Sequence, residues 1–600
     1  MTAPNRATLW GETIVDELVA AGVEAACIAP GSRSTPLTVA FADHPAVETF
    51  SILDERSAAF FALGRGRRTG DPTAVVCTSG TAAANFHPAV IEAHQSKVPL
   101  VVLTADRPAE LHDSGANQTV DQADLYGDAP RYHRTLPEPA PEPRRLRSLR
   151  VTVARAVSQS QGADPGPVHL NVPVAKPLEP TSVEGDAPES LAADHPLAVE
   201  GRDGPFVETH RGTPTADDAT IADLAATLRD ADRGLLVAGP LNPGQVDPEA
   251  VAAFLEATGV PLLADPLSGL RYGSLAADDD GSVGGRRLVC GGYDAYVGSE
   301  DWPEPDAVVR VGASPTSKPL RKHFAGAGAR QFVVDPAGEW PEAEFTATDS
   351  VAADPSQVLR GVARRLDDSD GEERSAPTDT SGAWRDRYRA AERTHWGALV
   401  EGRDEHLFEG GVLATVIESA PDPGTVFVSN SMPVRDCDRF GAPRGADLTV
   451  LGNRGASGID GILSTGLGAG SATDDPLVVV TGDLAYFHDM NGLLSVTRCS
   501  VDATVVLINN DGGGIFHMLP IESFDPPFTE QFRTPHGLDF EPTGDLYGLE
   551  YTRVATTAAF ERAYADSLAS DGTQVIEVTV DGEASHRFRE ELERRVHERL

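Results

Sequence analysis

Short apolar runs that end in Gly, Asp, Asn or Ser turns recur along this chain, with helical stretches between them. The segment AVVCTSGTAAANFHPAVIEAHQSKVPLVVLTADRP (74–108) is the most compact case. A β-branched run ends at Thr-Ser-Gly-Thr, an Ala-rich helical stretch follows, and a second run ends at Asp106. PLVVVTGDL, the helical MNGLLSVTR and ATVVLINNDGGG repeat the grammar later in the chain. Weaker versions (GLLVAGPLNP, VPLLADP, AVVRVGASP and QFVVDP) lie between, alternating with helical segments such as PEAVAAFLEATG. Strands that alternate with helices specify parallel sheets covered on both faces. Ligands of such sheets bind beyond the carboxyl ends of the strands. TSGT, TADRP, TGD and NNDGGG all fall there.

A chain of 600 residues exceeds what one core can hold. Two polar stretches with linker composition, roughly 178–215 and 366–385, divide it into three blocks. The expected fold class is α/β, with three doubly wound parallel-sheet domains at 1–190, 206–365 and 386–600. No apolar run approaches the roughly 20 residues of a membrane span. The first residues show helical spacing with acidic residues between, and no secretory pattern, so a cytoplasmic protein is expected.

A net charge of −41 argues against nucleic acid and anionic membrane surfaces as partners. Lysine occurs only at 97, 176, 318 and 322, so almost all positive charge is arginine. Acidic residues are spread along the chain, with one local cluster at 367–373. Apolar periodicity is retained throughout, which a disordered acidic chain would lack. Adaptation to high salt is the expectation, since a dense carboxylate surface stays hydrated there. Cys27, Cys77, Cys290, Cys437 and Cys499 form no CxxC pair and read as free, mostly buried thiols.

The most chemically pointed segment is GDLAYFHDMNGLLSVTRCSVDATVVLINNDGGGIF (482–516). Asp483 and Asn510 are separated by one crossover, so both fall at ends of neighbouring strands. Turn chemistry alone favours Asp, Asn and Gly in such places. A hard cation such as Mg²⁺ is the alternative, because it takes oxygen ligands and shares them with phosphate. Asp483 would supply charge, Asn510 a neutral oxygen and Gly512 a carbonyl, while the glycines let backbone approach phosphates.

GD followed by NN at this spacing resembles the diphosphate and metal motif of thiamine-diphosphate enzymes. Most of those read GDG, and here Leu484 replaces the last Gly. GDL with HDMNGL and NNDGGGIF resembles one branch, the 2-succinyl-5-enolpyruvyl-6-hydroxy-3-cyclohexene-1-carboxylate (SEPHCHC) synthases, the MenD family of menaquinone biosynthesis. Further matching segments are APGSRSTPL, LDERSAAFFALG, TSGTAAANFHPAVIEA, TADRP, GANQTVDQ, SNSMPVRD and NRGASGIDGILSTGLG. The resemblance is dense in the first and third blocks and thin in the second. It implies a pyrimidine-binding domain at 1–190, a central Rossmann-like domain at 206–365 and a diphosphate-binding domain at 386–600.

Each carried-over residue also has a plain structural reading. Glu55 opens a helical stretch, where the helix dipole favours a carboxylate. The resemblance makes it the catalytic residue, hydrogen-bonded to the cofactor's aminopyrimidine so that the cofactor supplies its own base. Arg33, Arg107, Arg435 and Arg454 sit in loop-like segments after apolar runs, as surface ion pairs or as carboxylate clamps. Lys318 is a solvated loop lysine or a substrate contact. Some family members carry Lys-Arg there, whereas Pro319 follows Lys318 in this chain. Ile459 is a core residue or the apolar support that bends the cofactor. Ile515, Phe516 and Leu519 wall a pocket or begin a packed helix. The resemblance further implies Ser79, Gly80, Ser431 and Leu484 as cofactor contacts, and Ser32, Asn117, Gln118 and again Ser431 as polar substrate partners.

The implied activity is thiamine-diphosphate- and Mg²⁺-dependent (or Mn²⁺-dependent) decarboxylation of 2-oxoglutarate. The resulting succinyl-semialdehyde carbanion adds to isochorismate, giving SEPHCHC and CO₂. A homodimer or tetramer is implied, because sites of this superfamily form between a pyrimidine-binding domain and a diphosphate-binding domain of different subunits. Alternatives are another thiamine-diphosphate 2-oxoacid decarboxylase, an acetolactate-synthase-like enzyme, or a non-catalytic ligand-binding homologue.

Overall fold

The computed structural model describes residues 3–277, 287–368, 379–403 and 405–600. Three six-stranded sheets carry the fold, and every paired strand in them runs parallel to its neighbour. The first holds β1 (Ala25–Ile28), β2 (Glu48–Ser51), β3 (Thr73–Cys77), β4 (Leu100–Asp106), β5 (Tyr132–Thr135) and β6 (Pro167–Pro173). Its order is β2-β1-β3-β4-β6-β5. The second holds β7 (Gly234–Ala238), β8 (Leu262–Ala264), β9 (Val289–Cys290), β10 (Ala307–Val311), β11 (Arg330–Val334) and β12 (Asp349–Val351), ordered β12-β11-β10-β7-β8-β9. The third holds β13 (Gly424–Val428), β14 (Leu448–Leu451), β15 (Leu477–Gly482), β16 (Thr504–Asn509), β17 (Glu550–Val554) and β18 (Gln574–Thr579). Its order, β14-β13-β15-β16-β18-β17, reproduces that of the first sheet strand for strand.

These orders decide where ligands can bind. In the first sheet the chain reverses direction of travel between β1 and β3, and in the third between β13 and β15. A doubly wound sheet opens a crevice at that switch point, beyond the carboxyl ends of the strands. The second sheet has the dinucleotide-fold order, with its switch between β7 and β10.

Packing groups the chain into two compact units. The first is Met1–Gly212 with Asn453–Asp474 and His488–Val501, and the second is Thr213–Gly452 with Asp475–Phe487 and Asp502–Leu600. Within the first unit the helix Ile462–Gly470 lies against the helix Glu55–Thr69 at backbone distance. A Cβ on Gly64 would stand 2.0 Å from the Thr465 carbonyl oxygen, and one on Gly468 2.0 Å from that of Phe61. Only glycine permits such an approach at those two positions.

The two stretches of linker composition carry more structure than composition suggests. In the first, short helices Leu191–Asp194 and Pro196–Val199 form, and Leu178, Leu191 and Ala198 join the core around the first sheet. Helices of four residues are too short to display a period in the sequence. In the second stretch, 369–378 lies outside the described residues, as does most of the acidic cluster at 367–373. The helix Asp379–Arg403 begins inside it, and the buried Trp384 donates its indole N–H to the Gly234 carbonyl at 3.0 Å. Four cysteines are buried and Cys499 is partly so, all of them free thiols. No described helix is long and apolar enough to cross a membrane.

Candidate active site

In the first unit the loops after β1, β3 and β4 converge on the switch point. Asp54 caps the helix Glu55–Thr69 by accepting the N–H groups of Arg56 and Ser57. That cap leaves Glu55 unneeded for helix initiation. The half-buried Glu55 carboxylate has no hydrogen-bond or ion-pair partner among the described residues. Burial, with the Glu55 charge adding to it, pushes the Cys77 thiol at the end of β3 well up.

Arg33 is buried, so the surface ion-pair reading fails for it. Its guanidinium donates to the Val174 carbonyl at 2.6 Å and its backbone N–H to Thr78 Oγ1 at 3.1 Å. Ser32 beside it is exposed. Arg107 donates to the Asn117 carbonyl at 3.0 Å. Gln118, at φ 57°, donates its amide to the Ser79 carbonyl at 2.8 Å and accepts the Ser79 hydroxyl on its own carbonyl at 3.0 Å. A Cβ on Gly80, at φ 88°, would meet Gln118 Cγ at 2.9 Å. The structure thus brings Ser79, Gly80, Arg107, Asn117 and Gln118 into one cluster. Beneath it lies the buried Gln122, which accepts the Gly80 N–H at 2.8 Å and donates to Asn171 Oδ1 at 3.0 Å.

The loop that carries Arg454 belongs to the same unit. Gly455 and Ala456 donate their N–H groups to the two oxygens of the buried Glu92 carboxylate, at 2.9 and 2.6 Å. Glu92 also pairs with the buried Arg67 at 3.0 Å. Ile459 is half-buried rather than part of a core.

In the second unit the loops after β13, β15 and β16 converge in the same way. Asp483, the first residue after β15 and the start of the helix Asp483–Asp489, is almost fully buried. Its Oδ1 accepts the Leu484 N–H at 2.7 Å, and its Oδ2 accepts the Gly512 N–H at 2.9 Å. His536 Nδ1 accepts the Leu538 N–H at 2.9 Å, so Nε2 carries the ring proton and donates to Asp483 Oδ2 at 3.2 Å. Burial holds the Asp483 carboxyl above its ordinary range. Gly512 stands at φ 138°, where a Cβ would lie 2.0 Å from the Arg533 carbonyl oxygen. Asn510 donates Nδ2 to Glu409 Oε1 at 2.7 Å. Its Oδ1 is buried with no hydrogen-bond partner among the described residues.

This donor set fits a magnesium ion. It offers one carboxylate, one orphaned amide oxygen and backbone carbonyls, all hard oxygen donors. Among the described residues no cluster of three His, Cys, Asp or Glu side chains could hold a metal. A cation here would have to complete its shell with other oxygens, which a diphosphate supplies.

Ser431, at φ 68°, precedes the helix Met432–Phe440. Arg435 lies in that helix rather than in a loop, and donates to the Ser431 carbonyl at 2.5 Å. Lys318 is likewise the first residue of a helix, Lys318–Gly326. Proline at N1 or N2 is compatible with a helix start, and here Pro319 occupies that place. Lys318, Arg435, Arg439, Arg589, Ile515 and Leu519 line one cavity of about 790 Å³. Asp294 pairs with Arg439 at 2.6 Å and with Arg589 at 3.4 Å, while Glu593 pairs with Arg439 at 2.9 Å and Asp436 with Arg589, so both of those charges are compensated. Phe516 turns instead onto the Phe532 ring.

Glu92, Gln122, Glu409 and His536 were not singled out from the sequence. Gln122 and Glu92 stand inside matching segments, GANQTVDQ and HPAVIEA, but a buried carboxylate facing a loop hundreds of residues away leaves no local signal.

Residues 10–125 match the N-terminal TPP binding domain of thiamine pyrophosphate enzymes, and residues 445–578 match the C-terminal one. The chain is 60% identical over 607 residues to the 2-succinyl-5-enolpyruvyl-6-hydroxy-3-cyclohexene-1-carboxylate synthase of Haloarcula marismortui, covering 100% of both chains. It is 60% identical over 599 residues to the protein of that name from Halobacterium salinarum, covering 99% of each. To that of Roseiflexus castenholzii it is 45% identical over 587 residues, covering 96% of each.

Proposed function

The chain belongs to the SEPHCHC synthase family of thiamine pyrophosphate enzymes, and from that premise we propose that it decarboxylates 2-oxoglutarate and joins the remaining four-carbon unit to isochorismate. The products are SEPHCHC and CO₂, and the pathway is menaquinone biosynthesis. The observation that carries the reading is the donor set at the third sheet: buried Asp483, the orphaned Asn510 Oδ1 and Gly512 at a φ only glycine tolerates. Thiamine diphosphate, when bound, supplies the electron sink that decarboxylation of a 2-oxo acid requires.

The protein's own residues then have separable tasks. Asp483, Asn510 and the Gly512 carbonyl would hold Mg²⁺, and Mn²⁺ has the same donor preference. Leu484, Ser431, Ser79, Gly80 and Ile459 would contact the cofactor. Glu55 would exchange a proton with the aminopyrimidine ring, a task consistent with a carboxylate that has no protein partner. Arg33, Arg107, Arg435, Arg454 and Lys318 would neutralise the carboxylates of the two substrates. Ser32, Asn117, Gln118 and Ser431 would add hydrogen bonds, and Ile515, Phe516 and Leu519 an apolar wall.

We assign pyrimidine binding to 1–190, a Rossmann-like central role to 206–365 and diphosphate binding to 386–600. A cytoplasmic homodimer or tetramer completes the proposal. The test is a two-substrate assay with thiamine diphosphate and Mg²⁺ omitted and then restored. Coupled loss of both acids only in the complete mixture is the expected result, and decarboxylation indifferent to isochorismate would point to a different 2-oxoacid enzyme.

A further inference from the structure

Asn510 can ligate a cation through its oxygen only, because the amide nitrogen is a donor with no lone pair to give. Which end faces the site is therefore decisive, and the amide's own shape does not settle it. The surroundings do. Nδ2 donates to Glu409 Oε1 at 2.7 Å, which leaves Oδ1 as the buried atom without a partner among the described residues. Turning the amide over would lose that bond and turn Oδ1 away from the site toward Glu409.

Glu409 is itself fixed. It is buried at the first position of the helix Glu409–Ser419, and its backbone N–H donates to Ser585 Oγ at 3.0 Å. The space around the amide is closed by glycines: a Cβ on Gly514 would stand 2.5 Å from Asn510 Nδ2, and one on Gly582 3.4 Å from Asn510 Cβ. The amide thus sits in a slot with one hydrogen-bond acceptor at its end.

We propose that Glu409 is a positioning residue for the metal site: its carboxylate receives the Asn510 amide N–H and thereby aims Oδ1 at the cation. The assignment rests on the functional reading above. Groups that orient a metal ligand typically alter metal affinity by about 10–100-fold when removed.

Two variants separate reach from the carboxyl group itself. Glu409→Asp keeps a carboxyl but withdraws the acceptor by one methylene, and Glu409→Gln keeps the reach and an acceptor oxygen but replaces the carboxyl. Mg²⁺ is titrated by calorimetry into full-length protein saturated with thiamine diphosphate, with the unfolding midpoint measured alongside. The expected result is a Kd raised about 10-fold or more in Glu409→Asp and changed by less than about 3-fold in Glu409→Gln, at unchanged midpoints. Wild-type affinity in Glu409→Asp would overturn the assignment, and so would equal weakening in both variants, which would make the carboxyl group rather than its reach the cause. A wild-type protein that takes up no Mg²⁺ would overturn the functional reading as well.

Discussion

The Glu92 carboxylate accepts the backbone N–H of Gly455 at 2.9 Å, although 363 residues separate the two in the chain. With Ala456 on its other oxygen and Arg67 beside it, Glu92 joins a buried ion pair to the loop that presents Arg454. Glu92→Ala breaks its buried ion pair with Arg67, and removing one partner of a buried pair costs about 3–5 kcal/mol. Denaturant titration should show that loss, together with a higher KM for at least one of the two acid substrates. Wild-type stability in this variant would exclude the clamp.

Glu55→Gln is expected to lower turnover by about 100-fold or more, the scale of a positioned proton-transfer group. Calorimetry should find thiamine diphosphate binding nearly unchanged, since Asp54 rather than Glu55 caps the helix. A variant that turns over like wild type would remove Glu55 from the chemistry.

Asp483→Ala removes a proposed direct ligand, so its effect on Mg²⁺ affinity should exceed the roughly 10–100-fold typical of groups behind the ligands. Gly512→Ala should do comparable damage by another route, because its Cβ would lie 2.0 Å from the Arg533 oxygen. Titrations of Mg²⁺ in the presence of thiamine diphosphate check both.

His169 supplies a pH prediction. It is fully buried, with Nε2 2.7 Å from Thr104 Oγ1, and burial pushes its pKa from 6.5 to about 3. Between those values the unfolded imidazole holds a proton that the folded one lacks. Stability should therefore fall as pH drops below 6.5, by about 1.4 kcal/mol per pH unit for this group. The buried His395, pushed down to about 4, acts in the same direction. His169→Gln should reduce the slope of unfolding free energy against pH by one proton's worth, and an unaltered slope would contradict the burial argument.

Net charge of −41 makes the folded surface repel itself. Raising KCl from about 0.1 M to about 1 M shortens the screening length from about 10 Å to about 3 Å. The unfolding temperature should rise across that range, and activity with it. A protein most stable in dilute buffer would refute the high-salt reading.

What the sequence determined by itself was local. The apolar runs became strands of three parallel sheets, SILDE led into a helix opening at Glu55, and Asp483 and Asn510 fell at the ends of β15 and β16. Strand and helix periods, together with turn residues, are set by neighbours in the chain, so these features can be read there. Partners of buried polar groups are chosen by packing between distant segments, and only the tertiary structure decided them. Glu409 lies 101 residues from Asn510, and His536 53 from Asp483. Segments 453–474 and 488–501 likewise packed with the first unit, although the chain order places them among the strands of the third sheet. Glycine at 64 and 468 permits that helix contact, but a glycine in a sequence does not say which backbone will approach it.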